Sequence, residues 1–254
     1  MKINLEKRDD REKYVLPYHW MIEPFSVFDA HYTTYSNQLI SLLPNPPLEI
    51  LDIGCGDGKI ASILVKKGYS VKGIEFSENA ISFAKILVPE ADFLVADITD
   101  PKIVENSEFI KRSFDVVILN AVLEHIHPSK QSQILGLIHN LLKDTGFIVL
   151  SVPTPRIKAS PCHYNHFEMK DIQQLLEING FIIDKVIFSH NMSHIISKLM
   201  FSSWIKLLDN RWYDLRFIRR MIVRNFKKNS AEAMTHKQAG MLVIRSRKNN
   251  VYVT

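Results

Sequence analysis

The residues best suited to chemistry gather around LDIGCGDGK, residues 51–59. Asp52 closes a short apolar run, and Gly54, Gly56 and Gly58 follow at alternate positions. Glycines so spaced let the chain turn sharply and bring bare backbone against a ligand. Glu75 lies 17 residues beyond Gly58, and an acid at the end of a second strand is placed to accept both hydroxyls of a ribose. Asp97, followed by Ile98, ends a third strand and is placed for an adenine amino group. Singly, the glycine triplet is also a tight turn and each acid also a solvated strand end. Together and in order on successive strands, they point to a ligand carrying ribose and adenine. Neither the dinucleotide pattern GxGxxG nor the phosphate loop GxxxxGK[ST] is present.

These residues need strand ends to sit on, and the hydrophobic pattern supplies them. Apolar runs predict strands at 48–54, 69–76, 92–97, 114–120, 146–152, 181–188 and 240–246. Helical spacing falls at 59–68, 78–88, about 130–143 and 169–180, and a helix-compatible stretch from Phe25 to Leu43 is stopped by Pro44, Pro46 and Pro47. FDVVILN (114–120) is continuously apolar, as a parallel strand covered on both faces must be. Strands alternating with helices make an α/β chain with a doubly wound sheet. The expected organisation is an aromatic lid segment (1–44, with a frayed charged start at 1–13), a core (45–189), a basic helical cap insert (190–239), and a last core strand and tail (240–254).

Five segments carry a family likeness: LDIGCGDG (51–58), GIEFS (73–77), ADI (96–98), FDVVILNAVLEHI (114–126) and LLKDTGFIVLSVP (141–153). On them the chain resembles the class I S-adenosylmethionine-dependent methyltransferases. The resemblance implies a Rossmann-like, seven-stranded sheet whose last strand, 240–246, is antiparallel. It implies S-adenosylmethionine as cofactor and S-adenosylhomocysteine as product. Carried over position by position, it puts the methionine end against Asp52, Gly54 and Gly56, with Cys55 in the same loop. Glu75 would hold the ribose hydroxyls, and Phe76 would flank the adenine. Asp97 and Ile98 would address the adenine edge, and Asn120 would approach the methionine moiety. The general look is similar to bacterial methyltransferases of surface-glycan and quinone pathways.

Methyl transfer asks for alignment and exclusion of water, and a hydroxyl acceptor also needs its proton removed. NAVLEHIHPS offers Glu124, His125 and His127, and PCHYNHFE offers His163, His166 and Glu168. His125, His163 and His166 are the catalytic candidates, and Glu124 is a substrate-binding one. The bland alternative has these residues capping a helix and holding a loop. AVLEH followed by a later histidine looks like the metal site of the small-RNA 2′-O-methyltransferases, but Ala121 stands where the first carboxylate belongs. Cys162 has no CxxC partner and Cys55 belongs to the cofactor loop, so no bound metal is expected.

Two segments would choose the acceptor. YVLPYHWM (14–21) precedes the first strand and is expected to fold over the cofactor site, with Tyr18, His19 and Trp20 meeting the substrate; packing on the sheet edge is the alternative. The insert carries Trp204, Leu207 and Leu208, then Trp212, Leu215, Phe217, Met221 and Phe226, interleaved with Arg216, Arg219, Arg220, Arg224, Lys227 and Lys228. Residues 190–239 hold ten basic and three acidic side chains, a net of +7, so the remaining chain carries −2 of the overall +5. A basic amphipathic island in an acidic chain suits an anionic membrane surface, or a cap with solvated arginines.

The composition bounds the rest. With 254 residues, 46% hydrophobic and 23% charged, the chain is an ordinary globular one rather than disordered or fibrous. Two cysteines build no disulfide framework, and the charged N-terminus and lack of a long apolar run make a cytoplasmic protein the expectation, with peripheral contact at the inner membrane face as the variant the basic insert suggests. The leading function is O-methylation of a small-molecule, sugar or lipid-linked acceptor. The alternatives are an RNA methyltransferase, which would need a continuous basic path, and a non-catalytic cofactor-binding scaffold.

Overall fold

The computed structural model describes residues 14–100, 114–200, 216–229, 231–233 and 235–249. The frayed start, the tail beyond 249 and the insert residues Trp204, Leu207, Leu208, Trp212 and Leu215 lie outside them. The described elements run α1 (Val27–Ser41), β1 (Glu49–Ile53), α2 (Lys59–Lys66), β2 (Ser70–Glu75), α3 (Glu78–Leu87), β3 (Asp92–Val95), β4 (Phe114–Asn120), a 3₁₀ turn (Leu123–His125) and α4 (Pro128–Leu141). They continue with β5 (Leu142–Pro153), α5 (Met169–Ile178), β6 (Phe181–Asn191), α6 (Ile195–Met200), α7 (Arg216–Asn229) and β7 (Ala239–Lys248).

The seven strands form one sheet in the order β3-β2-β1-β4-β5-β7-β6. Its first five strands are parallel, and β7 runs antiparallel between β5 and β6. This is the expected Rossmann-like architecture. The order reverses between β1 and β4, and open α/β sheets bind ligands outside the carboxyl ends of their strands at such a switch.

Alternation along β4 shows how both faces are filled. Val117 and Leu119 enter a core with Ile134, Leu135 and Ile138 of α4 and Ile172 of α5. Val116 and Ile118 enter the opposite core with Leu39 of α1, Ile60 and Leu64 of α2 and Ile81 of α3. A side-chain period of two sends neighbours to opposite faces, so a strand between two helical layers must be apolar throughout.

Three strands are longer than the sequence predicts, among them β7, which spans Ala239–Lys248 instead of 240–246. β5 begins at Leu142 instead of 146, because the chain leaves α4 already extended and Leu142 pairs with Phe114 before the register shifts. β6 runs to Asn191 instead of 188, because β7 pairs with it as far as Ala239. At a bulge between Ile183 and Lys185, Asp184 takes a bidentate ion pair from Arg245 of β7.

The cap helix α7 packs inward through Val223 and Phe226, which surround Ala30 of α1 together with Phe25, Ile196 and Ile222. Buried Arg219 reaches Glu23 at 2.6 Å, and Lys227 reaches Asp29 at 3.1 Å. Phe217 and Met221 stay exposed. No helix among the described residues is long and apolar enough to cross a membrane.

Under the glycine loop, β2 makes room through Gly73. A Cβ there would lie 2.6 Å from the Phe93 ring and 2.7 Å from Cys55 Sγ. Gly73→Ala is therefore expected to cost about 1–3 kcal/mol by overpacking and to push the Cys55 loop out of place. A urea melt should show a lower midpoint with an unchanged slope.

Candidate active site

The glycine loop hangs on the neighbouring strand: the Gly54 and Cys55 amides both donate to Ile74 O, at 2.8 and 3.1 Å. Gly54 and Gly56 have φ of +71° and +53°, and a Cβ on them would come within 2.7 Å of Val122 Cγ2 and 2.5 Å of Tyr14 OH. Both the backbone conformation and the close approach demand glycine there.

Three carboxylates lie buried around this loop, and each meets burial differently. Asp57, fully buried, accepts from the His19 amide at 2.8 Å and faces His19 Nδ1 at 2.9 Å. The Trp20 indole donates to Asp57 O at 2.9 Å. Glu75 accepts from the Gly56 amide at 3.3 Å and from the Ser77 amide at 3.1 Å. Asp52 is buried, and its Oδ2 has no hydrogen-bond partner among the described residues. Burial, followed by the nearby Glu75 charge, pushes the Asp52 carboxyl up to about 8.

The strand ends open into a cavity of about 850 Å³, near the upper end of the roughly 300–1,000 Å³ common for ligand sites. Gly54, Glu75, Phe76, Asp97, Ile98 and Asn120 line the part above β1 to β4. Asp52, Cys55 and Gly56 lie behind that lining. Asp97 is exposed and accepts from the Thr99 amide at 2.8 Å. Asn120 donates to Ser36 Oγ at 3.1 Å and accepts from Ser151 Oγ at 2.9 Å. Tyr14, Tyr18, His19, Phe28, Tyr32 and Tyr35 form an aromatic cover. Burial, helped by the Asp57 charge, pushes the Tyr18 phenol up to about 12, so it stays a neutral hydrogen-bonding group.

Trp20 is not in that cover. Its indole is committed to Asp57 O, and Lys59 Nζ sits 4.4 Å above its ring. The expected substrate contact is thus replaced by a latch that fastens the N-terminal segment to the glycine loop. His31 was not singled out by the sequence; it lines the cavity, and its Nδ1 lies 3.1 Å from Nε2 of buried His190. Burial lowers His31 to about 4, so the pair joins α1 to β6 as neutral rings.

Beyond β4 and β5 the cavity is lined by Glu124, His125, Cys162, His163 and Tyr164. The two loops meet because Gln131 Nε2 of α4 donates to Leu123 O and Ile126 O on one and to Asn165 Oδ1 on the other. The Tyr164 amide adds a bond to Glu124 O at 2.6 Å. The His125 and His163 rings meet edge-on with centroids 4.7 Å apart.

His166, a catalytic candidate of the sequence, is not in the lining; it stands behind His163. Its Nδ1 lies 2.9 Å from Thr154 O, and its Nε2 lies 2.8 Å from His163 Nδ1. A carbonyl only accepts, so His166 Nδ1 carries the hydrogen. Burial lowers the His166 pKa and favours the neutral ring, whose Nε2 then accepts from His163 Nδ1. The chain of partners leaves the lone pair of His163 on Nε2. Asp57, Gln131 and the rank of His166 were not found from the sequence. The one local signal for Asp57 is an acid between two glycines, beside a segment rich in N–H donors.

A methyltransferase-domain family profile matches residues 28–186. Among curated proteins, an uncharacterized methyltransferase of Synechocystis is 30% identical over 44% of this chain and 50% of its own length. The ubiquinone biosynthesis O-methyltransferase of Rickettsia typhi is 33% identical over 44% of each chain. The chain thus spans about half the length of these relatives. Of solved structures, magnesium protoporphyrin IX methyltransferase from Synechocystis, with bound S-adenosylhomocysteine, superposes with a TM-score of 0.55 at 18% identity, covering 88% of this chain and 85% of that one. A methyltransferase from Archaeoglobus fulgidus gives 0.58 at 18% identity, covering 89% and 100%. These likenesses concern the fold.

The residues present fit the cofactor of that family: an unsatisfied buried carboxylate at Asp52, a glycine cradle closed to any Cβ, and Glu75 facing the cavity. Glu75→Ala is expected to weaken S-adenosylhomocysteine binding about tenfold or more, the loss of charge-assisted hydrogen bonds worth roughly 1.5–3 kcal/mol. Calorimetric titration checks it, and unchanged affinity would remove Glu75 from the ribose position.

Proposed function

The chain belongs to the S-adenosylmethionine-dependent methyltransferase-domain family, and from that premise we propose that it methylates a hydroxyl oxygen of a small-molecule, sugar or lipid-linked acceptor. Bound S-adenosylmethionine supplies an activated methyl group. Its methionine end would lie against Asp52, Gly54 and Gly56, and Glu75 would hold its ribose. Phe76, Asp97 and Ile98 would hold its adenine, and Asn120 would approach the methionine moiety. The latched segment 14–21 covers the cavity and limits water.

One observation carries the choice of oxygen. The Thr154–His166–His163 chain holds a lone pair on His163 Nε2, in a side chain that lines the cavity. His163 Nε2 would take the hydroxyl proton as the methyl group leaves the sulfonium for the oxygen, with S-adenosylhomocysteine as the leaving group. His125 packs against the His163 ring and confines it, while Tyr18, His19 and Glu124 line the acceptor's space. The exposed Phe217 and Met221 of α7 stand beside exposed Arg220, Arg224, Lys227 and Lys228. That pairing supports contact with an anionic membrane surface, where a lipid-linked acceptor would be met.

Methyl-labelled S-adenosylmethionine, supplied with an extract of the source cells, tests this. Label is expected in a small-molecule, glycan or lipid fraction and should vanish with Asp52→Ala. With the acceptor in hand, His163→Ala should lower kcat by about 10²–10⁴, while His166→Ala should lower it less and add nothing to His163→Ala. Label confined to RNA or protein would overturn the proposed acceptor class.

A further inference from the structure

The sequence set Cys162 aside because it has no CxxC partner, yet the fold supplies partners from elsewhere in the chain. His125 comes from the 3₁₀ turn after β4, and Cys162 and His163 come from the loop after β5. One ligand atom from each lies within 4.8 Å of the other two, and all three side chains line the cavity half-buried. We propose that His125, Cys162 and His163 form a Zn²⁺ site with three protein ligands and a fourth position open to the cavity.

The donor set selects the metal. Two imidazoles and a thiolate suit zinc, whereas the hard cations magnesium and calcium call for oxygen ligands. Zinc bond lengths of about 2.0–2.1 Å to nitrogen and 2.3 Å to sulfur would draw the three atoms inward by small rotations of side chains that are only half-buried. The outer partners are already in place. A ligating histidine usually donates its other N–H to a fixed acceptor, and His163 Nδ1 does so to His166, which is anchored in turn on Thr154 O. Ser160 Oγ lies 3.0 Å from Cys162 Sγ and can donate to a thiolate. Gln131 ties the two loops that carry the ligands. Three ligands with an open position are the pattern of a reactive zinc rather than a structural one.

The site stands on this geometry alone, and only its use in methyl transfer rests on the function proposed above. Zinc and a proton compete for His163 Nε2. The histidine therefore accepts a proton only while the site is empty; when it is filled, zinc would lower the pKa of a hydroxyl or thiol bound at the open position.

The test uses the full chain stripped of metal by a chelator and then titrated with Zn²⁺ and with Co²⁺. One equivalent of each is expected. The cobalt form should show a thiolate-to-metal charge-transfer band and the intense visible bands of a four-coordinate ion. Cys162→Ser should abolish the charge-transfer band and weaken zinc at least tenfold. His166→Ala should weaken zinc by about 10–100-fold, the usual effect of an outer partner. S-adenosylhomocysteine affinity, measured beside each titration, should stay at the wild-type value and so report an intact fold. In the unmutated protein, X-ray absorption should find one sulfur at about 2.3 Å from zinc. Zinc uptake without S-adenosylhomocysteine binding would refute the methyltransferase function and leave the metal site standing. No zinc uptake, a zinc shell without sulfur, or equal zinc affinity in wild type and Cys162→Ser would overturn the site.

Discussion

Burying carboxylates beneath a bare glycine loop sets the terms for the whole upper face of the sheet. An ionised carboxylate removed from water needs hydrogen bonds or a counter-charge. Asp57 obtains them by pulling in the His19 amide and ring, with Trp20 fixed to the same residue's carbonyl, and this turns the N-terminal segment into a cover. Glu75 obtains them from the Gly56 and Ser77 amides, which fixes the loop against the start of α3. Asp52 obtains none for Oδ2 and is pushed towards its neutral form. Loop shape, lid position and a poised acid all follow from one constraint.

Neutral hydrogen bonds organise the other half of the cavity. Gln131 pins together the loops after β4 and β5, and the Thr154–His166 pair sets the tautomer of His163. His31 and His190 join α1 to β6, while Phe226 and Val223 hold the cap helix on α1. The aromatic cover and the cap are thereby built on one helix, α1, which also packs on the sheet. A wall of rings in mutual contact over the sheet suits a reaction that depends on alignment more than on strong acids or bases.

Sequence spacing reached the parts of the molecule set by local repetition. Strand ends are marked by the change from apolar runs to glycine or acid, so Glu75 and Asn120 close β2 and β4 and Asp52 lies one residue from the end of β1, whereas β3 stops at Val95 and leaves Asp97 in the loop beyond it. Seven strands and the antiparallel last one followed from the same pattern and the family likeness. Pairings between distant segments leave no such trace. Trp20 meets a carbonyl 37 residues away, and Gln131 meets Asn165 across 34. Nothing in the spacing of His163 and His166 tells which ring faces the cavity. Likewise, Cys162 reads as a solitary thiol until β4 and β5 bring His125 beside it.

The proposed pairing of Asp52 with the cationic end of the cofactor is measurable, because burial pushes its carboxyl up to about 8. In the ligand-free fold the carboxyl keeps its proton up to about pH 8. Pairing with an ammonium group favours the ionised form, so binding should expel that proton whenever the pH lies below that value. S-adenosylhomocysteine titrated calorimetrically at pH 6.5, in buffers of different ionisation enthalpy, should release close to one proton per site. The release should fade above about pH 8 and be absent in Asp52→Asn. Binding with no proton release in the wild-type protein, or with the same release in Asp52→Asn, would contradict the account.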